Sequence, residues 1–150
     1  MRTSTKGRYG VRAMLDLARN RDADPVPLRD IAERQGISEH YLEQLFAALR
    51  KAGLVRSVRG TKGGYQLAGD PSDITVGQIL RVLEGPIGPT ACVSDDESMH
   101  CEREEACATR RLWQKVHDAI SDVVDTTTLA DLVETADQLE NESTPPMYYI

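Results

Sequence analysis

Apolar residues recur at helical spacing in two neighbouring stretches in the first half of the chain. The first stretch, Leu28 to Gln35, places its apolar residues on one face and is interrupted by Gly36. The second follows Ser38, a residue type that caps helix N-termini, and ends at Gly53. Its apolar positions are Tyr41, Leu42, Leu45, Leu49 and Ala52. Two short helices joined by a tight turn are typical of a helix-turn-helix unit.

A hairpin pattern follows directly. Leu54 to Val58 alternates as a strand does, and Tyr65 to Leu67 can return antiparallel to it. The intervening tip is rich in glycine and carries two cations, Arg59 and Lys62. A basic hairpin after a helix-turn-helix is a wing, and its natural target is duplex DNA. A helical unit that only packs a core is the alternative, but a core does not need the charged glycine tip.

The start of the second helix is where base-facing side chains would lie, with the helix in the major groove and the wing on the backbone or minor groove. Gln44 can pair with an adenine edge, and Glu43 can accept a hydrogen bond from a cytosine amine. For His40, structural capping is the alternative to base contact. The predicted DNA-binding residues are Ser38, Glu39, His40, Tyr41, Glu43, Gln44, Arg59 and Lys62.

The remaining pattern predicts four more helices, at about 6–20, 75–84, 109–124 and 128–139. The predicted fold is therefore mainly α with a small β hairpin. The predicted units are a winged helix-turn-helix domain (1–85), a cysteine-containing sensor loop (86–107), a dimerisation helix with a short packing helix (108–140) and a flexible tail (141–150).

The helix from Thr109 to Val124 carries an apolar stripe that needs a partner in so small a protein. Its members are Leu112, Trp113, Val116, Ala119, Ile120 and Val123. Readers of symmetric DNA sites usually dimerise, so we assign the stripe to a homodimer seam. Packing of the stripe on its own domain is the alternative.

Charge is divided unevenly along the chain. The net charge is −6, yet residues 1–69 hold 13 Lys/Arg against 7 Asp/Glu, and residues 70–150 hold 5 against 17. A basic half that contains the winged helix and an acidic half are typical of two separate tasks. The acidic half is not expected to contact DNA.

Composition narrows the class further. The chain has 40% hydrophobic and 28% charged residues, and it has neither a long apolar run nor the apolar core of a signal peptide, so a soluble, cytoplasmic protein is expected. The glycines from Gly60 to Gly64 lie in a hairpin rather than between a strand and a helix, so they do not predict a nucleotide loop. No hydrolase motif is present, and an enzyme is not expected.

Three cysteines, Cys92, Cys101 and Cys107, are the only ones in the chain and cluster in one segment. An odd set of three in a cytosolic protein is a poor disulfide framework. Thiolates close together suit zinc or the iron of an iron–sulfur cluster. Thiol redox sensing and inert cysteines are the alternatives that spacing leaves open.

Three motifs carry a resemblance to a known family: S-T-K-G-R-Y-G from Ser4, Y-L-E-Q-L from Tyr41 and G-L-V-R-S-V-R-G-T-K-G-G-Y from Gly53. The chain resembles bacterial winged-helix regulators of the family that includes the iron–sulfur cluster regulator IscR and the cysteine-metabolism repressor CymR. The likeness covers nearly the whole chain. It implies a homodimer that binds a partly palindromic operator and usually represses transcription.

The cysteines look more like those of IscR, and that likeness implies a cluster, [2Fe–2S] in type. In IscR-like chains a histidine three residues after the last cysteine completes the ligand set, but here that position is Arg110, which cannot ligate. A residue near the N-terminus of the other subunit is one further possibility for the fourth ligand. The candidates within the chain are His100, Glu104, Glu105 and His117.

The chain ends in Tyr148, Tyr149 and Ile150, which together with Leu80–Pro86 and Thr126–Leu129 look more like CymR. Two aromatic residues and an isoleucine at a free carboxylate either fold back on the body or are captured by a partner. The CymR resemblance suggests cysteine synthase as that partner, with the Ile150 carboxylate in its active site.

Two rival classes remain, both non-catalytic. One is a small iron–sulfur electron carrier with a vestigial DNA-binding fold, and the other is a protein-interaction module that regulates a sulfur enzyme. Salt-dependent, sequence-selective operator binding separates a regulator from both. A reversible redox couple without DNA affinity would favour the carrier.

Overall fold

The structure is a computed structural model that describes residues 2–98 and 100–147. These residues form six α-helices and one two-stranded antiparallel sheet. The helices are α1 (Thr5–Arg19), α2 (Leu28–Gln35), α3 (Glu39–Lys51), α4 (Val76–Glu84), α5 (Ala108–Thr126) and α6 (Leu129–Ser143), and the strands are β1 (Val55–Val58) and β2 (Gly64–Leu67). The predicted mainly α fold with a small β hairpin is confirmed.

Local chemistry sets the helix-turn-helix boundaries. Gly36 ends α2 with φ of 63°, a left-handed conformation that glycine adopts without strain. Two residues later the Ser38 hydroxyl accepts a hydrogen bond from the Tyr41 N–H at 3.1 Å and caps α3. The turn between the two helices is therefore held at both ends by its own residues.

The core lies between the first four helices and the hairpin. Phe46 of α3 is fully buried and meets the Tyr65 ring of β2 edge-on, with ring centroids 5.0 Å apart. The largest other side chains that are fully buried are Met14, Leu17, Ile31, Leu42, Leu49, Ile79, Leu129 and Val55. These residues come from both helices of the helix-turn-helix and from its neighbours, so the core fixes the orientation of α3.

Helices α1 and α4 approach closely because α1 presents glycines to α4. A Cβ at Gly7 would overlap the Glu84 carboxylate, and a Cβ at Gly10 would overlap the Leu83 side chain. The Ser4 N–H also donates to Glu84 Oε1 at 2.5 Å. These contacts make α4 part of the same packed unit as α1 and α3.

The hairpin pairs Val55 with Leu67 and Val58 with Gly64, which leaves the tip beyond the last pair. Its second strand is attached to the segment before α2, where Val26 and Tyr65 exchange backbone hydrogen bonds of 3.0 and 2.8 Å. The wing is thus anchored to the helix-turn-helix rather than hanging from a flexible link.

The second half of the chain joins the first through a short backbone exchange. The Val76 N–H donates to Thr127 O at 2.9 Å, and the Leu129 N–H donates to Ile74 O at 2.9 Å. Helix α6 then runs to Ser143, so the sequence prediction that it ends near Leu139 and that residues from 141 onward form a loose tail was wrong for 141–143. No helix among the described residues has the length and apolar character needed to cross a membrane.

Candidate nucleic-acid interface and cysteine loop

The predicted base-facing residues lie on one exposed surface at the start of α3. Glu39, His40, Glu43 and Gln44 are exposed, and the basic wing tip with Arg59 and Lys62 is exposed as well. Residues of α3 and of the wing strands share one hydrophobic core, so the helix and the wing are held in a fixed arrangement. This is the arrangement that a winged helix offers to duplex DNA.

Tyr41 differs from its neighbours on α3. Its ring is half-buried and meets the Tyr9 ring of α1 edge-on, with centroids 6.1 Å apart. Arg12 lies over the other aromatic ring, 5.4 Å from the Tyr9 centroid. The Tyr41 ring therefore packs α3 against α1, and only the exposed part of this side chain is available to contact DNA.

His40 does not cap α3, because Ser38 fills that role. Its imidazole lies 3.4 Å from Gln44 Nε2 and 3.8 Å from a Glu43 carboxylate oxygen. The three side chains form a polar cluster one helical turn long. Such a cluster orients Gln44, the residue that sequence reasoning placed opposite adenine.

Sequence reasoning missed one link between helix and wing. Arg50, in the last turn of α3, lies 3.4 Å from the Ser57 hydroxyl of β1, and it is exposed. Lys51 and Arg56 extend the same basic surface, since both are exposed. The sequence does show basic residues at the end of α3. Their contact with the wing is visible only in the structure, where Ser57 of β1 lies beside Arg50.

The three cysteines lie in the segment between α4 and α5, referred to below as the cysteine loop (86–107). Cys101 is exposed, Cys92 and Cys107 are half-buried, and all three are free thiols. The loop holds one short 3₁₀ turn, Glu104–Ala106. Within the described residues, no three His, Cys, Asp or Glu side chains are gathered closely enough to hold a metal ion.

Cys107 lies in an environment that favours its thiolate. It occupies the N-cap position of α5, and its sulfur lies 3.2 Å from the Thr109 hydroxyl. Hydrogen bonds from that hydroxyl and from the Arg110 N–H lower the pKa of the Cys107 thiol. A thiolate is both the better metal ligand and the better nucleophile.

Arg110 replaces the histidine that the resemblance implies, and it is occupied otherwise. Its guanidinium pairs with the Glu104 carboxylate at 2.8 Å, and among the described residues its buried Nε has no hydrogen-bond partner. His100 lies 3.4 Å from the same Glu104. The three thiols have the soft-donor chemistry of iron–sulfur ligands, but within the described residues they are not gathered around one point. The Arg110 position supplies a cationic donor for an anionic group rather than a ligand.

His117, another candidate fourth ligand, has both ring nitrogens close to carboxylates. Its Nε2 lies 3.1 Å from Asp95 and its Nδ1 lies 3.3 Å from Asp118. Partial burial opposes the charged form, but the hydrogen bonds to Asp95 and Asp118 outweigh it and raise the pKa of His117. His117 therefore tethers α5 to the cysteine loop.

Helix α5 is 19 residues long and none of its residues is buried. Its apolar stripe includes Leu112, 52% exposed, and Val123, 62% exposed. Amphipathic helices normally bury such a stripe. The part of the chain that the structure describes covers the stripe only in part: Trp113, Val116 and Ile120 are half-buried, whereas Leu112, Ala119 and Val123 are exposed.

Comparison with known proteins identifies the family to which the chain belongs. The model of the Rrf2 family, described as iron-dependent transcriptional regulators, matches residues 3–135. The chain belongs to the Rrf2 family. It is a DNA-binding transcriptional regulator and not an enzyme.

Individual Rrf2 relatives are similar along nearly the full length. The HTH-type transcriptional regulator CymR of Bacillus subtilis (strain 168) is 46% identical over 150 residues, 100% of both chains. The HTH-type transcriptional regulator IscR of Escherichia coli O1:K1 / APEC is 46% identical over 140 residues, 93% of this chain and 85% of the relative. The solved structure of T. potens IscR is 48% identical with a TM-score of 0.77, covering 99% of this chain and 95% of that one.

The solved structure of CymR, named the global cysteine regulator of B. subtilis, is 47% identical with a TM-score of 0.76 and covers 90% of this chain and 98% of that one. The resemblance that the sequence motifs indicated is therefore confirmed. The predicted partner-binding residues Tyr148, Tyr149 and Ile150 lie outside the described residues.

Proposed function

We propose that this Rrf2 regulator is a homodimeric repressor of iron–sulfur or cysteine metabolism that senses its signal through the cysteine loop. The observation that carries the proposal is the combination of three features on one chain. They are the polar start of α3 beside a basic wing, the partly exposed apolar stripe of α5, and three free thiols in the loop between them.

In this proposal α3 enters the major groove and the wing reaches the backbone or the adjacent minor groove. Gln44 and Glu43 read base edges, Ser38, Glu39, His40 and Tyr41 border them, and Arg59 and Lys62 act through the wing. Two copies related by a two-fold axis would read the two halves of a palindrome.

The experiment is selection of a bound sequence from random duplexes, followed by affinity measurement at several salt concentrations. A regulator selects a partly palindromic sequence and loses affinity steeply as salt rises, because phosphate contacts release counterions. Binding without sequence preference, or none at low salt, would refute the proposal. It would leave the electron carrier and the interaction module as the remaining classes.

For the dimer, the proposed seam is the α5 stripe, since burying Leu112 and Val123 removes apolar surface from water. Sedimentation or light scattering of the purified protein measures the oligomeric state directly. A species of one chain at micromolar concentration would contradict the seam.

For the sensor, the proposal is that Cys92, Cys101 and Cys107 hold an iron–sulfur cluster, [2Fe–2S] in type. When bound, such a group supplies a state that changes with iron supply and oxidation. The protein's part is to provide the thiolates, and the lowered pKa of Cys107 favours its thiolate form. Arg110 cannot supply the fourth ligand, so another residue must. His100, which directly precedes Cys101, is the candidate histidine.

Protein purified under nitrogen should be coloured and contain iron and sulfide, and Cys92→Ala, Cys101→Ala or Cys107→Ala should each abolish this. Stoichiometric zinc with no iron after attempted reconstitution would refute the cluster and favour a zinc or thiol sensor. The lowered pKa of Cys107 is the observation that supports the thiol alternative.

A second partner is proposed for the C-terminal segment, Tyr148 to Ile150. The alignment with CymR of B. subtilis includes it, since that match covers 100% of both chains. Capture of a terminal carboxylate is a known mode of peptide recognition, and cysteine synthase is the proposed acceptor. A ten-residue C-terminal peptide should bind that enzyme, and the peptide without Ile150 should not. If neither peptide binds while the full chain does, the segment is not the docking element.

A further inference from the structure

Arg81 of α4 lies where three parts of the molecule meet. Its Nε donates to Asp95 of the cysteine loop at 2.8 Å. Its terminal nitrogens donate to both carboxylate oxygens of Asp125 on α5, the longer of the two bonds being 3.1 Å. A single guanidinium thus joins α4, the cysteine loop and α5, the proposed dimer helix.

The Asp95 end of this network closes a turn that contains Cys92. Asp95 and Ile87 exchange two hydrogen bonds: the Asp95 N–H donates to Ile87 O at 3.0 Å, and the Ile87 N–H donates to the Asp95 carboxylate at 3.0 Å. Val93, next to Cys92, is buried. Cys92 therefore lies within a hydrogen-bonded turn that begins at Ile87 and ends at Asp95, and a change at its sulfur would disturb that turn.

The Asp125 end is shaped for the ion pair. A Cβ at Gly77 would overlap the Asp125 carboxylate and would come within 2.7 Å of the Arg81 guanidinium. Gly77 leaves the space in which the pair forms, one turn before Arg81 on the same helix. The guanidinium geometry suits two carboxylates at once because it presents five donors in a fixed fork.

From Arg81 the path to the recognition helix is short. The next two residues of α4, Val82 and Leu83, line a cavity of about 170 Å³ together with Tyr41, Gln44 and Leu45 of α3. Leu83 is also in close contact with Gly10 of α1. Helix α4 packs on α3, so a shift of α4 would alter that packing close to Gln44, in the polar cluster at the start of α3.

We propose that Arg81 is the positioning residue through which the state of the Cys92 turn reaches the DNA-reading surface. With Asp95 in place, Arg81 holds α4 to both the loop and α5. When the turn rearranges and Asp95 withdraws, Arg81 is held by Asp125 alone, and α4 with its α3 contact is released from the loop. The inference rests on the proposed function, because it requires an operator and a signal at the cysteines.

The test uses the full-length chain, Asp95→Asn as the variant and Asp96→Asn as the matched control. Asp96 is the next carboxylate along, and in the described structure that carboxylate accepts hydrogen bonds only from Ser98. Operator affinity is measured with the thiols free and after alkylation with iodoacetamide. Alkylation should change the affinity of the wild type and of Asp96→Asn by about fivefold or more, and that of Asp95→Asn by less than about twofold.

A second readout runs in the opposite direction, since coupling between two sites is mutual. Iodoacetamide modification of Cys92 is followed by mass spectrometry with and without operator. Operator should change the extent of modification in the wild type and in Asp96→Asn but not in Asp95→Asn. A merely structural role for Asp95 would lower stability and leave this dependence intact. Arg81→Lys, which keeps the charge but loses the fork, is the second variant and should also lose the dependence.

The outcomes separate the two proposals. If the unmodified wild type binds no operator, the proposed function fails. If it binds operator and alkylation changes the affinity of Asp95→Asn and Arg81→Lys as much as that of the wild type, the role of Arg81 is overturned and the proposed function stands. If alkylation leaves the affinity of the wild type unchanged, no signal passes from the turn to α3, and the inference is overturned as well.

Discussion

Asp16 should be the acidic residue in the first half of the chain whose loss costs the most stability. It is a buried carboxylate on α1, with 3% of its side chain exposed. It accepts hydrogen bonds from the Arg34 guanidinium at 2.7 and 3.0 Å and from Gln35 Nε2 at 2.8 Å. Since Arg34 and Gln35 end α2 just before the Gly36 turn, Asp16 fixes the first helix of the helix-turn-helix to α1.

The size of the effect follows from burial. Removing one partner of a buried ion pair costs about 3–5 kcal/mol, because the other charge is left unpaired. The Arg34 side chain is 40% exposed, so water replaces part of what Asp16 supplies. For Asp16→Ala we therefore expect a loss of about 2–3 kcal/mol in the free energy of unfolding, with Asp16→Asn smaller because an amide keeps part of the hydrogen bonding.

The measurement is urea unfolding followed by circular dichroism at one fixed protein concentration, since the proposed dimer would make stability concentration-dependent. Glu33→Ala, which removes an exposed carboxylate from α2, is the control and should change stability by less than about 0.5 kcal/mol. A loss below about 1 kcal/mol for Asp16→Ala, or one equal to the control, would refute the assignment of Asp16 as the α1–α2 link.

Three further outcomes are expected. Arg59→Ala should weaken operator binding by roughly 1–3 kcal/mol in a low-salt titration, while Thr61→Ala at the same tip leaves it unchanged; equal affinity of all three proteins would remove Arg59 from the interface. Leu112→Glu should convert the proposed dimer to single chains in light scattering while Lys115→Ala does not, and a dimer that survives Leu112→Glu would place the seam elsewhere. His117 stabilises the fold fully at pH below its unfolded pKa of about 6.5, and this contribution is lost as the pH rises through its raised folded pKa. Melting temperatures across this range should therefore fall more for the wild type than for His117→Gln, and parallel curves would rule out the tether.

Elements whose ends carry local signals were predicted well from sequence. Gly36, Ser38 and Thr75 each act on residues within four positions, so the bounds of α2, α3 and α4 follow from them. The end of α6 was missed because its last turn has no apolar pattern. There Arg19 of α1 pairs with Glu140 at 2.7 Å, a contact 121 positions apart along the chain that sequence does not reveal.

The sites divide in the same way. Exposure of the α3 start and of the wing tip follows from periodicity, so the candidate residues could be named in advance. The Arg81 network could not, because Asp95 and Asp125 are 14 and 44 positions away from Arg81 and meet it only when α4, the loop and α5 are packed. The status of Arg110 was half predicted: sequence shows that it cannot ligate, and only the structure shows its pairing with Glu104.

The uneven charge of the chain gives the molecule a direction of approach. With 13 Lys/Arg against 7 Asp/Glu in residues 1–69 and 5 against 17 in residues 70–150, the protein is an electric dipole whose positive end carries the wing. In the field of a polyanion such a dipole rotates before contact, so encounters are biased toward the reading face. The negative end repels a second duplex at distances within the Debye length, about 8 Å at physiological salt. Orientation is thus selected during diffusion, and the rotational search at the operator is shortened before any base is touched.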